Sequence, residues 1–256
     1  MKMKAMYSVG LMMAALVLLV TSVPVYASTM DDRIEESARK SYVFKTYFTG
    51  DDIKIQSKDG VVSLTGTVSE EFHKSLAQET VAGLPGVKSV DNRLEVKGER
   101  STEMSDAWLV TKVKTTLLFH RSVSAVTEVN IKDGIVTLRG DADSQAQKEL
   151  TTEYAKDVEG VKDVKNEMTV SKTSKKTHDT AGEKIDDASI TAQVKMALLF
   201  HRSTSALHTK VETKHGVVTL GGKARNAAEK DLVSKLVTDI KGVKSVNNRM
   251  TIEESK

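Results

Sequence analysis

The 256-residue chain contains no cysteine. That excludes disulfides, thiolate zinc sites, cysteine nucleophiles and a lipidated amino-terminal cysteine together. Aromatic residues make up 4% of the chain, with a single tryptophan. They are too sparse to build the stacking platforms that hold single-stranded nucleic acid. Beyond residue 27 no apolar run approaches the roughly 20 residues needed to cross a bilayer. No constellation of catalytic residues recurs, so the sequence points to a non-enzymatic binding or structural protein without a cofactor or bound metal.

What is present begins with an export signal. Lys2 and Lys4 precede an apolar run from Gly10 to Val20, followed by Pro24-Val25-Tyr26-Ala27. A basic start, a short apolar core and small residues at a cleavage site describe a signal peptide, here residues 1–27 with cleavage after Ala27. The run is too short for a membrane anchor. The expected location is the periplasm, with no transmembrane segment in the mature chain.

The remainder is one unit of roughly 70 residues written three times. The first and third copies align without a gap at an offset of 156, which carries Ile34 to Ile190, Phe44 to Phe200 and Asn92 to Asn248. The middle copy has one residue fewer in a loop, with Leu109, Phe119 and Asn166 at those positions. Expected domains are residues 28–97, 106–171 and 187–254. A flexible lysine-rich linker is expected over 172–186. The short link between the first two copies predicts that they pair while the third moves more freely.

Within each copy the periodicity switches in a fixed order. Ile190, Val194, Ala197 and Leu198 form the apolar stripe of a helix, matched by Leu109, Val113, Thr116 and Leu117. The first copy's stripe, Ile34, Ala38, Ser41 and Tyr42, is more polar, so its helix is expected to pack least tightly. Lys58-Asp59-Gly60, Lys132-Asp133-Gly134 and Lys214-His215-Gly216 then separate two alternating runs, which is a hairpin signal. Gly66, Gly140 and Gly222 close the second strand, implying positive φ or close approach of another backbone. A second helix starts near Ser69, Asp143 and Asn226 and ends at Gly86, Gly160 and Gly242. A last strand follows, and strand–helix–strand favours a right-handed crossover and a parallel pair. The fold class is therefore α+β: three tandem α-β-β-α-β units, each a three-stranded mixed sheet with two helices on one face.

Charge is uneven. The formal net charge is +3, but residues 171–256 hold 16 Lys and Arg against 10 Asp and Glu, whereas residues 28–97 hold 10 against 12 and residues 98–170 hold 10 against 13. A basic end on an exported protein points to an anionic partner, and the abundant one in an envelope is phospholipid. Solvation of a linker and of helix faces accounts for the same lysines.

The strand–turn–strand Lys58-Asp59-Gly60-Val61-Val62-Ser63-Leu64-Thr65-Gly66, continued by Gly86-Val87-Lys88-Ser89-Val90-Asp91-Asn92, recurs in both other copies. It resembles the BON family, named for bacterial OsmY and nodulation proteins, and the likeness covers nearly all of the mature chain. The resemblance implies an exported, non-enzymatic protein tied to osmotic or other envelope stress and to phospholipid surfaces. Chaperone-like handling of exported client proteins is the alternative it implies. The family brings no catalytic residues, and the recurrent glycines are then structural.

Leu117-Leu118-Phe119-His120-Arg121-Ser122 recurs as Leu198-Leu199-Phe200-His201-Arg202-Ser203. An aromatic beside a basic pair at a helix end suits a headgroup region, making Phe119, Arg121, Phe200, His201 and Arg202, with Lys195, candidate lipid or partner contacts. The same residues serve equally to finish a core stripe and to complement a helix carboxyl end. Trp108 suits a membrane interface, a protein contact or the cover of a neighbouring domain. His201, His208 and His215 lie on a helix end, a loop and a turn and make no metal site. Gly221-Gly222-Lys223 lacks the spacing of a phosphate loop. Asp31-Asp32 and Asp51-Asp52 are sequence neighbours whose side chains point apart, unlike catalytic pairs.

Overall fold

The structure, a computed structural model, describes residues 30–97, 105–123, 128–171, 184–204 and 209–253. The expected signal peptide and residues 172–183 of the expected linker lie outside the described residues.

The first unit contains α1 (Met30–Lys40), α2 (Tyr42–Tyr47), β1 (Asp52–Lys58), β2 (Val61–Val68), α3 (Glu71–Ala82) and β3 (Ser89–Val96). The second contains α4 (Asp106–Phe119), β4 (Glu128–Lys132), β5 (Ile135–Arg139), β6 (Asp141–Ala142), α5 (Gln145–Lys156), β7 (Asp163–Asn166) and β8 (Thr169–Val170). The third contains α6 (Asp187–Phe200), β9 (Thr209–Lys214), β10 (Val217–Ala224), α7 (Ala227–Thr238), β11 (Ser245–Asn248) and β12 (Thr251–Ile252). In each, the first two strands pair antiparallel and the third pairs parallel with the second, the crossover helix making parallel pairing possible. β6 and β8 continue the second unit's pair, and β12 continues β11.

Alternation decides which side of each sheet meets the helices. Val62, Leu64 and Val68, Val136, Leu138 and Ala142, and Val218, Leu220 and Ala224 are all 0% exposed. Their neighbours along each strand face away. Each hairpin turn has two left-handed residues, with φ of 55° and 81° at Asp59 and Gly60, 54° and 80° at Asp133 and Gly134, and 53° and 79° at His215 and Gly216. That turn has the twist a two-residue hairpin needs, and Asp and His tolerate the left-handed region better than branched residues. Gly66 and Gly222 (φ 113° and 104°) lie inside β2 and β10, whereas Gly140 (φ 127°) directly follows the end of β5, before β6. At Gly66 an added Cβ would fall 2.0 Å from the Asp52 carbonyl oxygen, so close approach of β1 requires glycine.

Helix boundaries differ from the sequence expectation in three places. The first unit's leading helix is interrupted at Ser41, whose hydroxyl accepts from Phe44 N (3.4 Å) and donates to the Ala38 carbonyl (2.8 Å). Serine in a helix interior competes with backbone partners, and here it restarts the helix. The second helices start at Glu71, Gln145 and Ala227, with Ser144 and Asn226 as side-chain caps and none from Glu70. They end at Ala82, Lys156 and Thr238, and Gly86, Gly160 and Gly242 lie farther on, in turns at φ 91°, 97° and 86°.

The arrangement of units also differs. α6 buries 11 of its 14 residues, far more than one stripe. Small side chains let neighbours close on it: a Cβ on Gly83 of α3's end would lie 3.4 Å from Ala188. Tyr42 N donates to Asp186 Oδ2 (2.7 Å) and Val43 N to Ser189 Oγ (3.1 Å). The first and third units consequently share one apolar cluster, joined by Phe119, Trp108 and Tyr154 of the second, which keeps a core of its own. The third unit is the hub. Complementary helix faces, not link length, set the pairing.

Candidate functional site

The two copies of Leu-Leu-Phe-His-Arg-Ser meet across a seam between the second and third units. Each helix ends in extended backbone at its histidine, with φ −82° and ψ 135° at His120 and φ −81° and ψ 128° at His201. His120 then bridges to Ile240 and His201 to Val158, both antiparallel. Arg121 N donates to the Asp239 carbonyl (3.0 Å) and Lys241 N to that of Phe119 (3.0 Å). In the other direction, Arg202 N donates to Asp157 (2.8 Å) and Glu159 N to Phe200 (2.9 Å). The guanidinium of Arg121 donates to the Ile240 and Val243 carbonyls, both at 2.7 Å, and that of Arg202 to Val158 (3.4 Å) and Val161 (3.0 Å). One patch meets its own counterpart, as across a dimer two-fold, here within one chain.

Side chains make the two halves unequal. Asp239 accepts from Tyr154 OH (2.7 Å) and from the Ser122 hydroxyl, and its carboxylate lies 3.2 Å from His120 Nδ1. The His120 ring stacks on Tyr154 with centroids 3.9 Å apart. Burial pushes the Asp239 carboxyl up, but the hydrogen bonds from His120, Ser122 and Tyr154 outweigh it and hold it below the usual value of 3.8. Burial and the bond to Asp239 raise the Tyr154 phenol above its usual 10.0. His201 Nδ1 accepts from Ser203 N (3.1 Å), while its Nε2 stands 3.6 Å from Asp157 Oδ2. Burial lowers the His201 pKa below 6.5, with Asp157 opposing.

These positions settle where the expected contact residues stand. Phe119, Phe200 and His201 are buried, and both arginines donate to carbonyls of the opposite unit. They are inter-unit contacts because the hydrogen-bonding groups left at each helix end find partners in the other unit. Lys195 pairs with Glu79 of the first unit at 2.7 Å. Trp108 is half-buried, edge-on to Phe200 with centroids 6.1 Å apart. Together with Leu109, Leu199, Lys112 and Lys162, Trp108 and Phe200 line a cleft of about 650 Å³.

Two recurrent roles escaped the sequence reading. Asp31 accepts from Asp59 N (2.8 Å) and Gly60 N (2.9 Å), Asp106 from Asp133 N (2.7 Å) and Gly134 N (2.9 Å), and Asp187 from His215 N (2.7 Å) and Gly216 N (2.8 Å). The Ser57 hydroxyl and the two turn amides hold the Asp31 carboxyl below its usual range. Asp31 and Asp187 stand at the repeat offset, the signal that could have found them. The recurrent Asn92, Asn166 and Asn248 donate to Lys74, Lys148 and Lys230 carbonyls at 2.9, 2.8 and 2.8 Å, tying the third strand to the second helix.

The sheet faces turned away from the helices differ in charge. In the first unit Lys54, Lys58 and Arg93 share that face with Asp52, Asp91 and Glu95. In the second Lys132, Arg139 and Lys165 share it with Glu128, Asp141, Asp163 and Glu167. In the third, the exposed residues Lys210, Lys214, Lys223 and Arg249 outnumber the carboxylates, of which Glu212 pairs with Lys214 at 2.8 Å and lies near Arg249. Part of the basic excess of the sequence therefore lies on one sheet face. Among the described residues, no helix is long and apolar enough to cross a membrane, and no group of His, Asp and Glu is placed to hold a metal ion.

Comparison with known proteins gives the same division. The BON domain matches three times, over residues 30–98, 105–172 and 186–254. Osmotically-inducible protein Y of Escherichia coli K12 is 35% identical over 147 residues, 57% of this chain and 71% of that protein. An uncharacterised protein from the gshII 5′ region of Anaplasma centrale is 30% identical over 153 residues, 60% of this chain and 98% of its own. The solved structure of CdsD, a structural protein of the Chlamydia trachomatis type III secretion system, covers 87% of this chain and 91% of its own at 17% identity, with a TM-score of 0.26. That score is too low to bear on how the units are arranged.

Proposed function

Because the chain belongs to the BON domain family in three tandem copies, we propose that it is an exported, non-enzymatic periplasmic protein that associates with anionic phospholipid and supports the envelope under osmotic stress. The likeness to an osmotically inducible protein supports the stress connection. The observation that carries the lipid reading is the third unit's open sheet face, where Lys210, Lys214, Lys223 and Arg249 gather about Glu212, beside two faces without a basic excess. A flat cationic face gains attraction from an anionic leaflet without burying its charges. That attraction is screened over about 8 Å at physiological salt, so the association is peripheral and salt-sensitive. Exposed Val217, on the same face, adds apolar area.

Co-sedimentation of the mature protein with vesicles of increasing phosphatidylglycerol content tests the reading. Binding should rise with anionic fraction and fall with salt. Indifference to both overturns it, and salt-independent suppression of client aggregation would favour a chaperone instead.

A further inference from the structure

We propose that the seam between the second and third units is a latch released by acid, and that release uncovers an aromatic and basic surface for an anionic bilayer. The second half rests on the lipid reading above; the first does not.

The latch follows from what His201 can and cannot bond. Its Nδ1 accepts from Ser203 N at 3.1 Å, so the neutral ring carries its proton on Nε2. Nε2 lies 3.6 Å from Asp157 Oδ2, outside hydrogen-bond reach, and has no other partner within reach. A second proton would go on Nδ1, setting donor against donor at the Ser203 amide. The ring is 7% exposed, so water does not compensate. The titratable and charged groups facing it are Asp157 at the end of α5, His120 at the end of α4 and Arg202 on its own segment. Arg225 also reaches the neighbouring Ser203 carbonyl, at 3.0 Å. Burial works in the same sense, holding the ring neutral in the closed seam.

His120 is built the other way. Asp239 Oδ2 stands 3.2 Å from its Nδ1, so that nitrogen faces a carboxylate and not a backbone amide. Only His201 has its Nδ1 committed to accepting an amide proton and its Nε2 without a partner, so acid strains the seam at the His201 bridge. Parting there exposes Phe119 and Phe200, now 0% and 3% exposed, and frees the Arg121 and Arg202 guanidiniums from their carbonyls. An aromatic beside a cation at a helix end is an interfacial membrane contact.

The sign is fixed by linkage. A histidine whose closed-state pKa lies below 6.5 leaves the closed seam fully stable above that pH, and stability is lost as pH falls below it.

Trp108, the single tryptophan, packs on Phe200 across the seam and reports its opening without labelling. Emission of the full mature chain should shift to the red, reversibly, between pH 7 and about 5, with far-ultraviolet circular dichroism unchanged. His201→Asn keeps an acceptor for the Ser203 amide and takes no proton, so its profile should be flat. Asp157→Asn, at a side chain 44% exposed, removes the carboxylate that favours imidazolium in the closed seam, widens the gap between the closed and open states, and should move the transition to higher pH. Flat wild-type emission, loss of helical signal over the same range, an unaltered transition in His201→Asn, or an unmoved midpoint in Asp157→Asn overturns the latch. In a second arm, binding to phosphatidylglycerol vesicles should strengthen on acidification in wild type and not in His201→Asn. Equal binding at both pH values alongside an intact emission change overturns the released surface alone. No binding at either pH overturns the lipid reading, while the emission still decides the latch.

Discussion

Arg121 and Arg202 make the same contact in opposite directions, each guanidinium donating to two carbonyls in the turn after the other unit's second helix. The halves are unequal. Arg121 bonds at 2.7 Å twice, Arg202 at 3.4 and 3.0 Å. Removing a donor strands carbonyls that water reaches poorly, a cost of about 1–3 kcal/mol. Arg121→Ala should therefore open the seam more than Arg202→Ala. Amide exchange at Lys241 and Glu159, whose N–H groups donate across it, measures the two sides separately.

Phe119 and Leu199 occupy neighbouring places in the repeated motif yet have opposite fates. Phe119 is 0% exposed against Tyr47, whereas Leu199 is 47% exposed. Phe119→Ala should cost about 3–5 kcal/mol in chemical denaturation. Leu199→Ala should stay within about 0.5 kcal/mol of wild type.

The contrast between those two residues marks what was legible in the sequence. The alternation of Val62, Leu64 and Val68, the Asp-Gly turns and the threefold repeat are local patterns, and they specify element order and sheet side directly. The burial of α6 on nearly every side is not local. Ala188, Ser189, Ala192 and Gln193 stand outside the stripe of Ile190, Val194, Ala197 and Leu198, and the helix that covers that flank is written more than 100 residues earlier. Phe119, His120 and Arg121 were legible as a repeated motif, but its two copies meeting each other is visible only in three dimensions. The role of Asp31, Asp106 and Asp187 is not local either, because each carboxylate accepts from two turn amides 27 to 29 residues farther on.

Gly66 separates backbone necessity from side-chain crowding. A Cβ there would meet the Asp52 carbonyl at 2.0 Å, with φ at 113°. At Gly134 it would meet only the methylenes of Lys162, no closer than 3.1 Å. Gly66→Ala should unfold or severely destabilise the first unit, and Gly134→Ala should cost less, chiefly for its left-handed φ of 80°. Thermal unfolding of the two variants orders them.

Asp239 and Tyr154 give the seam two further pH limits distinct from that of His201. The Asp239 pKa is lowered from 3.8, so its contribution is complete above that value and is lost as pH falls through the folded one. The Tyr154 pKa is raised from 10.0, so the opened state loses its proton first and the seam weakens as pH rises above 10.0. Tyr154→Phe should lose a hydrogen bond at neutral pH yet weaken this alkaline decline. Buried Tyr47, also raised above 10.0, retains its own share. Stability profiles of wild type and Tyr154→Phe from acid to alkali check both limits.

Lys195 and Lys223 decide where an anionic surface is met. Lys195 is tied to Glu79 at 2.7 Å and joins the third unit to the first, whereas Lys223 is exposed on the open sheet face. An exposed or partly exposed ion pair contributes about 0.2–1 kcal/mol, so Lys195→Ala should loosen the two units slightly. It should leave vesicle affinity nearly unchanged. Lys223→Glu, paired with Lys210→Glu, reverses two of the four cations on that face and should abolish most binding to phosphatidylglycerol vesicles without altering thermal unfolding. If instead Lys195→Ala removes the binding and the double reversal does not, the lipid contact lies on the helix side of the third unit.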